Sequence, residues 1–132
     1  MLLEDKVAVI YGAGGAIGGA VARTFASEGA KVFLSGHNIA PVEAVGKDIV
    51  AAGGEAEAAK VDALDEDAVE RYATSVARKA GRIDVVLNAI GFRVVQGVPL
   101  LELKREDFLL PITMWTSTQF LTARAAARHM VK

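Results

Sequence analysis

The chain has 132 residues, 52% of them apolar and 23% charged, which fits one compact domain able to bury a sizeable core and is too little chain for two. A net charge of −1 gives no electrostatic reason to expect nucleic acid or an anionic membrane as a partner, and no apolar run approaches the length of a membrane span. There is no cysteine, which excludes disulfides, thiolate metal sites and a thiol nucleophile and is compatible with a reducing cytoplasm.

The opening "MLLEDKVAV" places Glu4, Asp5 and Lys6 where an export signal needs its apolar core, so no export signal is read. Residues 6–11, "KVAVIY", predict a buried strand. From Ile17 to Glu28 the apolar residues Ile17, Val21, Ala22 and Phe25 recur at helical spacing, and Gly29 stands where a left-handed residue closes a helix. "KVFLS" (31–35) predicts a second strand, and Pro41 fits the first turn of a helix running to about Ala52 and ended by Gly53-Gly54. "EAEAAKV" (55–61) is poor in β-branched residues and is read as a third strand from its place in the alternation. Asp62 or Asp65 would cap a helix over about 66–80, closed by Gly81. "IDVVLNAI" (83–90) predicts a fourth strand, apolar on both faces. A Gly- and Val-rich loop leads to a last helix from about Arg105. Pro111 either kinks that helix or marks its true start. The order βαβαβαβα implies a parallel sheet with right-handed crossovers.

The glycines are the chemical signal. In a parallel α/β unit, ligands bind at the carboxyl ends of the strands. Gly12 to Gly19 lies there and opens the first helix. The first amides of a helix have no internal partners and carry partial positive charge, so a diphosphate can accept from them where no Cβ blocks the approach. Gly12, Gly14, Gly15 and Gly18 are expected to keep that approach clear. His37 and His129 lie far apart, and no metal site is read.

The spacing is not G-x-G-x-x-G, whose last position would fall on Ile17. "YGAGGAIG" resembles the T-G-x-x-x-G-x-G motif of the short-chain dehydrogenase/reductase family, with Gly12, Ile17 and Gly18 in place, Tyr11 at the usual Thr and Ala16 at the middle Gly. Three further stretches resemble the family in order and spacing. The third strand leads to Asp62, where the family has an Asp contacting adenine. "GRIDVVLNAIG" (81–91) is similar to G-x-I-D-x-L-V-N-N-A-G, with Asn88 at the first Asn, Ala89 and Ile90 at the next two positions, and Gly91 closing it. "EDFLLPITMWTSTQFLTARAAARHM" (106–130) is similar to the long helix that follows, with Trp115 where the family has an Asn of its proton relay. The resemblance implies a Rossmann-like doubly wound sheet of order 3-2-1-4, stopping before a fifth strand. Residues 1–132 would then be an NAD(P)-binding domain lacking its catalytic half. It implies cofactor contacts at Gly12, Gly14, Gly15, Ile17, Gly18, Gly36, His37, Asp62, Asn88, Ala89 and Gly91.

NAD-specific relatives have an acidic residue just after the second strand. Here Ser35, Gly36, His37 and Asn38 include no carboxylate, so a 2′-phosphate is not repelled and NADP is favoured over NAD. The family's acid–base group is a Tyr followed four residues later by Lys. Tyr11 is followed by Gly15 and Tyr72 by Val76, so no catalytic residue is assigned. The expected whole is a cytoplasmic oxidoreductase moving hydride between nicotinamide and a carbonyl/alcohol substrate. The alternative is a non-catalytic nucleotide-binding or interaction module. Phe120, Ala123, Ala127 and Met130 form an apolar stripe that calls for a partner; the resemblance implies that such helices pair between subunits of a homo-oligomer and that a fifth strand pairs with "VVLNAI". For these reasons the 132 residues are not expected to be a self-sufficient folding unit.

Overall fold

The computed structural model describes residues 1–132. Four strands, β1 (Val7–Tyr11), β2 (Lys31–Gly36), β3 (Glu55–Lys60) and β4 (Val85–Asn88), form one parallel sheet of order β3-β2-β1-β4. Helices α1 (Ala16–Ser27), α2 (Ile39–Ala51) and α3 (Glu66–Ala80) connect them, and α4 (Arg105–Met130) follows. None of these helices is long and apolar enough to cross a membrane.

The period of two in β1 sorts the core into two layers. Ala8 and Ile10 point to one face, where they meet Val32, Leu34, Ala22 of α1 and Val42, Val45 and Ile49 of α2. Val7, Val9 and Tyr11 point to the other, against Phe33, Val69, Ala73 and Val76 of α3 and Ala125 and Ala126 of α4. A strand buried on both faces must be apolar throughout, which is why β1 and β2 read as unbroken runs. Each fully buried Val, Ile or Leu contributes about 1.5–3 kcal/mol to this arrangement.

β3 pairs with β2 alone and is largely exposed, so its lack of β-branched residues costs little packing. The fourth strand is shorter than the expected 83–90. Ala89 N still donates to Tyr11 O at 2.9 Å, but Ile90 N turns to the Asn88 side chain at 3.0 Å and leaves the ladder. At its start, the Asp84 carboxylate accepts from Val7 N at 2.9 Å in place of a ladder bond.

Helix ends follow local chemistry. Asp65, rather than Asp62, caps α3 by accepting from Ala68 N at 3.0 Å, and Gly81 ends that helix in the left-handed region at φ 80°. Gly29 does the same after α1 at φ 93°. Pro111 lies inside α4, which runs without a break from Arg105 to Met130, so it does not mark the start of the helix. A short 3-10 turn at Leu100–Glu102, which hydrophobic periodicity does not signal, precedes α4. The stripe Phe120, Ala123, Ala127 and Met130 faces solvent.

Candidate functional site

A half-open cleft of about 610 Å³ lies at the carboxyl ends of the strands. Its floor is Tyr11, Gly12, Ser35 and Gly36, where β1 and β2 end. One side is Gly14 and Gly15 at the start of α1, with Pro41 and Val42 of α2. The other is Ala89 to Arg93 after β4, with Met114 and Thr118 of α4. His37 and Asn38 border it beyond β2, and Val61 to Leu64 beyond β3. The cleft thus sits between β1 and its two neighbours, where successive crossovers run to opposite faces.

The glycines make this shape, though not for the expected reason at every position. Gly12 has φ 73°, and a Cβ there would lie 2.6 Å from the Ala89 carbonyl carbon. A Cβ on Gly18 would lie 2.2 Å from Gly12 O, and one on Gly14 3.0 Å from the Pro41 ring. Three of the four bare α-carbons therefore face protein and let the turn fold tightly against β4 and α2. Gly15 alone leaves an open side, with its nearest neighbour, Gly12 O, at 3.5 Å. A tight turn and an unblocked helix start are separate uses of glycine, and spacing alone does not tell them apart.

The start of α1 is electrostatically bare. Its N-cap is Gly15, no side chain caps it and no acidic residue lies in its first turn. α3, by contrast, has Asp65 as a cap and Glu66 and Asp67 in its first turn. The unpaired amides and positive end of α1 at the cleft suit an anion.

The other expected positions divide into two groups. Gly36, His37, Asp62, Ala89 and Gly91 border the cleft with Gly12, Gly14 and Gly15, whereas Ile17, Gly18 and Asn88 do not. Ile17 is 73% exposed on α1, and Gly18 is buried under the turn. Asn88 stands behind the wall: its Nδ2 donates to Thr122 Oγ1 at 3.3 Å and its Oδ1 accepts from Ile90 N at 3.0 Å. Asp62 accepts from Leu64 N at 3.0 Å, which fixes the loop after β3.

The family model described as short chain dehydrogenase matches residues 6–132. The chain belongs to this family. Among its short-chain dehydrogenase relatives, it is 42% identical over 98 residues to the meso-2,3-butanediol dehydrogenase of Serratia marcescens, covering 74% of this chain and 38% of that protein. It is 31% identical over 129 residues to the 2,3-dihydro-2,3-dihydroxybenzoate dehydrogenase of Bacillus subtilis strain 168, covering 98% and 49%. Among solved structures, a metagenomic short-chain oxidoreductase in complex with NADP superposes with a TM-score of 0.87 at 37% identity, covering 99% of this chain and 59% of that one. The chain spans about half the length, or less, of such curated relatives.

Two departures from the short-chain dehydrogenase pattern are visible in the structure. Tyr11, at the usual Thr, is buried and stacks edge-on to Tyr72 with centroids 5.9 Å apart. Burial, and then Glu70, raise the Tyr11 pKa well above the ordinary phenol range; burial, then Tyr11 and Glu57, do the same for Tyr72. The Ser35 hydroxyl draws Tyr72 down slightly, yet neither oxygen has a partner in hydrogen-bonding geometry. Neither tyrosine is poised to exchange a proton near neutral pH. The second departure is Trp115. It is not packed into the core: it is 40% exposed at the rim, and its Nε1 donates to Ile90 O at 3.1 Å. Sequence reasoning missed Thr118 and Thr122, which carry the α4 side of this wall. Thr118 and Thr122, four residues apart on the helix face that continues into the buried Ala125 and Ala126, were the available signal.

Proposed function

We propose that this chain is the dinucleotide-binding half of an NAD(P)-dependent oxidoreductase that moves hydride between nicotinamide and a carbonyl/alcohol pair. The observation that carries it is the cleft itself, which combines an uncapped helix start, an open Gly15 and a glycine turn at the carboxyl ends of β1 and β2. Its volume lies in the range of ordinary cofactor sites. Gly12 to Gly18, Ile17 included, would hold the diphosphate through backbone amides. Asp62 would face the adenine, and Asn88, Ala89 and Gly91 would form the wall toward the nicotinamide. Gly36 and His37 would lie beside the adenosine ribose. The bound nicotinamide supplies or accepts the hydride. These residues bind and orient it, while the proton at the carbinol oxygen needs a group that neither tyrosine here provides.

NADP is proposed over NAD, because residues 35–38 place no carboxylate where a 2′-phosphate would sit. The relative solved with NADP agrees with this choice. The names of the relatives run from a diol and a tetritol to a gluconate and an acyl-carrier-bound ketone, which supports a carbonyl/alcohol substrate without selecting one. Self-association through the exposed apolar surface of α4 and a cytoplasmic location belong to the same reading.

The test is a titration with NADPH and NADH, followed by nucleotide fluorescence. Tighter binding of NADPH is expected. Equal or tighter binding of NADH removes the preference, and binding of neither removes the site.

A further inference from the structure

The wall of the cleft after β4 is held from α4 in a way that depends on the chain's single tryptophan. β4 ends at Asn88, and the segment that follows leaves the sheet with no further ladder bond after Ala89. Two side chains take over. Asn88 turns back to accept from Ile90 N, and the Trp115 indole N–H donates to Ile90 O at 3.1 Å. Ile90 is thus gripped at both its amide and its carbonyl. Phe92 adds an edge-on contact with the indole, ring centroids 6.2 Å apart.

Trp115 sits one turn before Thr118, whose Oγ1 donates back to Trp115 O at 3.3 Å, and Thr118 itself lines the cleft. An indole left 40% exposed is not held there by core burial. Its orientation is set by the one polar atom it carries and by Phe92.

Resting on the dinucleotide reading, we propose that Trp115 is a positioning residue: its indole N–H fixes the Ile90 carbonyl, and so holds Ala89–Phe92 as the rigid wall against which the nicotinamide end of the nucleotide docks. A Gln at this position keeps a donor at comparable reach, because its amide nitrogen stands the same number of bonds from Cβ as the indole nitrogen.

That gives a decisive pair of variants. Trp115→Phe keeps an aromatic ring beside Phe92 and removes the donor. Trp115→Gln removes the ring and keeps a donor. With melting temperatures compared first, hydrogen exchange of the amides at 89–92 and NADPH affinity by nucleotide fluorescence are measured on both. We expect Trp115→Phe to speed exchange at 89–92 selectively and to weaken NADPH about five-fold, the effect of one hydrogen bond. Trp115→Gln should stay within about two-fold of the parent. Unchanged exchange in Trp115→Phe overturns the clamp. Equal loss in both variants assigns the effect to ring packing and overturns the donor role. Faster exchange with unchanged affinity overturns the link to the cleft. If the parent binds neither NADPH nor NADH, the dinucleotide reading fails, and exchange at 89–92 alone then decides whether the clamp exists.

Discussion

Gly18 and Gly15 stand three residues apart in the same turn, and the structure assigns them opposite sensitivities. A methyl at Gly18 would meet Gly12 O at 2.2 Å, Gly12 C at 2.9 Å and Ala13 Cα at 3.1 Å, all of them backbone. No side chain can swing away, so the turn or α1 must move. Overpacking of this kind costs about 1–3 kcal/mol, and contact with backbone puts Gly18→Ala at the upper end. A methyl at Gly15 would meet nothing closer than 3.5 Å, at an ordinary φ of −81°. Gly15→Ala should therefore cost no packing, and the N-cap preference for Gly over Ala limits its loss to about 1 kcal/mol. For a domain of this size, about 3 kcal/mol lowers the melting temperature by roughly 10 °C. Thermal melts by circular dichroism, with and without NADPH, separate the two effects. We expect Gly18→Ala to melt about 10 °C lower. Gly15→Ala should melt only about 3 °C below the parent yet lose most of the stabilisation by NADPH, because its methyl enters the open side of the cleft. A Gly18→Ala protein that melts with the parent would refute the packing argument. A Gly15→Ala protein that is fully stabilised by NADPH would refute the assignment of Gly15 to the cleft.

Further expectations follow from the same geometry. His37→Glu places a carboxylate beyond β2 and should shift the NADPH-to-NADH affinity ratio toward NADH by about ten-fold, measured by fluorescence titration; an unchanged ratio would remove this position from the ribose site. Burial alone would raise the Asp84 pKa, but the hydrogen bonds from Arg82 and Val7 N outweigh it and hold the carboxylate below its ordinary value. Its contribution is therefore complete above about pH 4 and is lost as pH falls through the lower folded value. Asp84→Asn should flatten the acid limb of a stability–pH curve, and an unaltered limb would show that the carboxylate is not responsible. Arg82 is more than half exposed, so the Val7 amide rather than the ion pair should carry most of the effect. Phe120→Lys, at a residue 58% exposed on α4, should lower the mass of any self-associated species in analytical ultracentrifugation; an identical distribution would exclude this face.

The fold was legible because it rests on periodicity and punctuation. β1 and β2 are unbroken apolar runs, α3 carries both an Asp cap and a C-terminal glycine, and these features are local. The ends of β3 and β4 were less legible because they are decided by partners. Nothing in "IDVVLNAI" says that Ile90 N will prefer the Asn88 side chain to the sheet, or that Asp84 will present its carboxylate to Val7 N. The site was half legible. Glycine spacing located the turn, yet whether each missing Cβ clears a ligand or clears a neighbouring strand depends on residues such as Ala89 and Pro41, which lie 77 and 27 positions beyond Gly12 and Gly14. Trp115 was noticed as a departure from a family pattern, but its bond to Ile90 spans 25 positions and has no local signature.

Local rules are met along α3 and set aside at several other places, the rim of the cleft among them. Away from the cleft, α3 is capped, its first turn is acidic and its last turn basic, and Glu66 and Glu70 pair with Arg124 and Arg128 of α4. At the carboxyl end of the sheet α1 starts without a cap, and the hydroxyls of Tyr11 and Ser35 are buried without partners. The Trp115 indole, 40% exposed, stands against Ile90 and Phe92 of the wall after β4. Each of these is costly or neutral for the folded chain by itself, since a buried unpaired polar group costs about 1–3 kcal/mol and a Gly N-cap forgoes about a few tenths of a kcal/mol against a side-chain cap. Scattered over the surface, such departures would need separate explanations. Those that border the cleft, the starts of α1 and α2 with Tyr11 and Ser35, fit the ligand end proposed above; the uncapped start of α4 and the unpartnered Tyr72 Oη and Arg124 Nε lie elsewhere. The division also predicts where substitutions divide. Changes on the α3–α4 ion pairs should move stability and leave nucleotide affinity alone, whereas capping α1 with Gly15→Asp should leave the melt within a degree or two and repel the diphosphate.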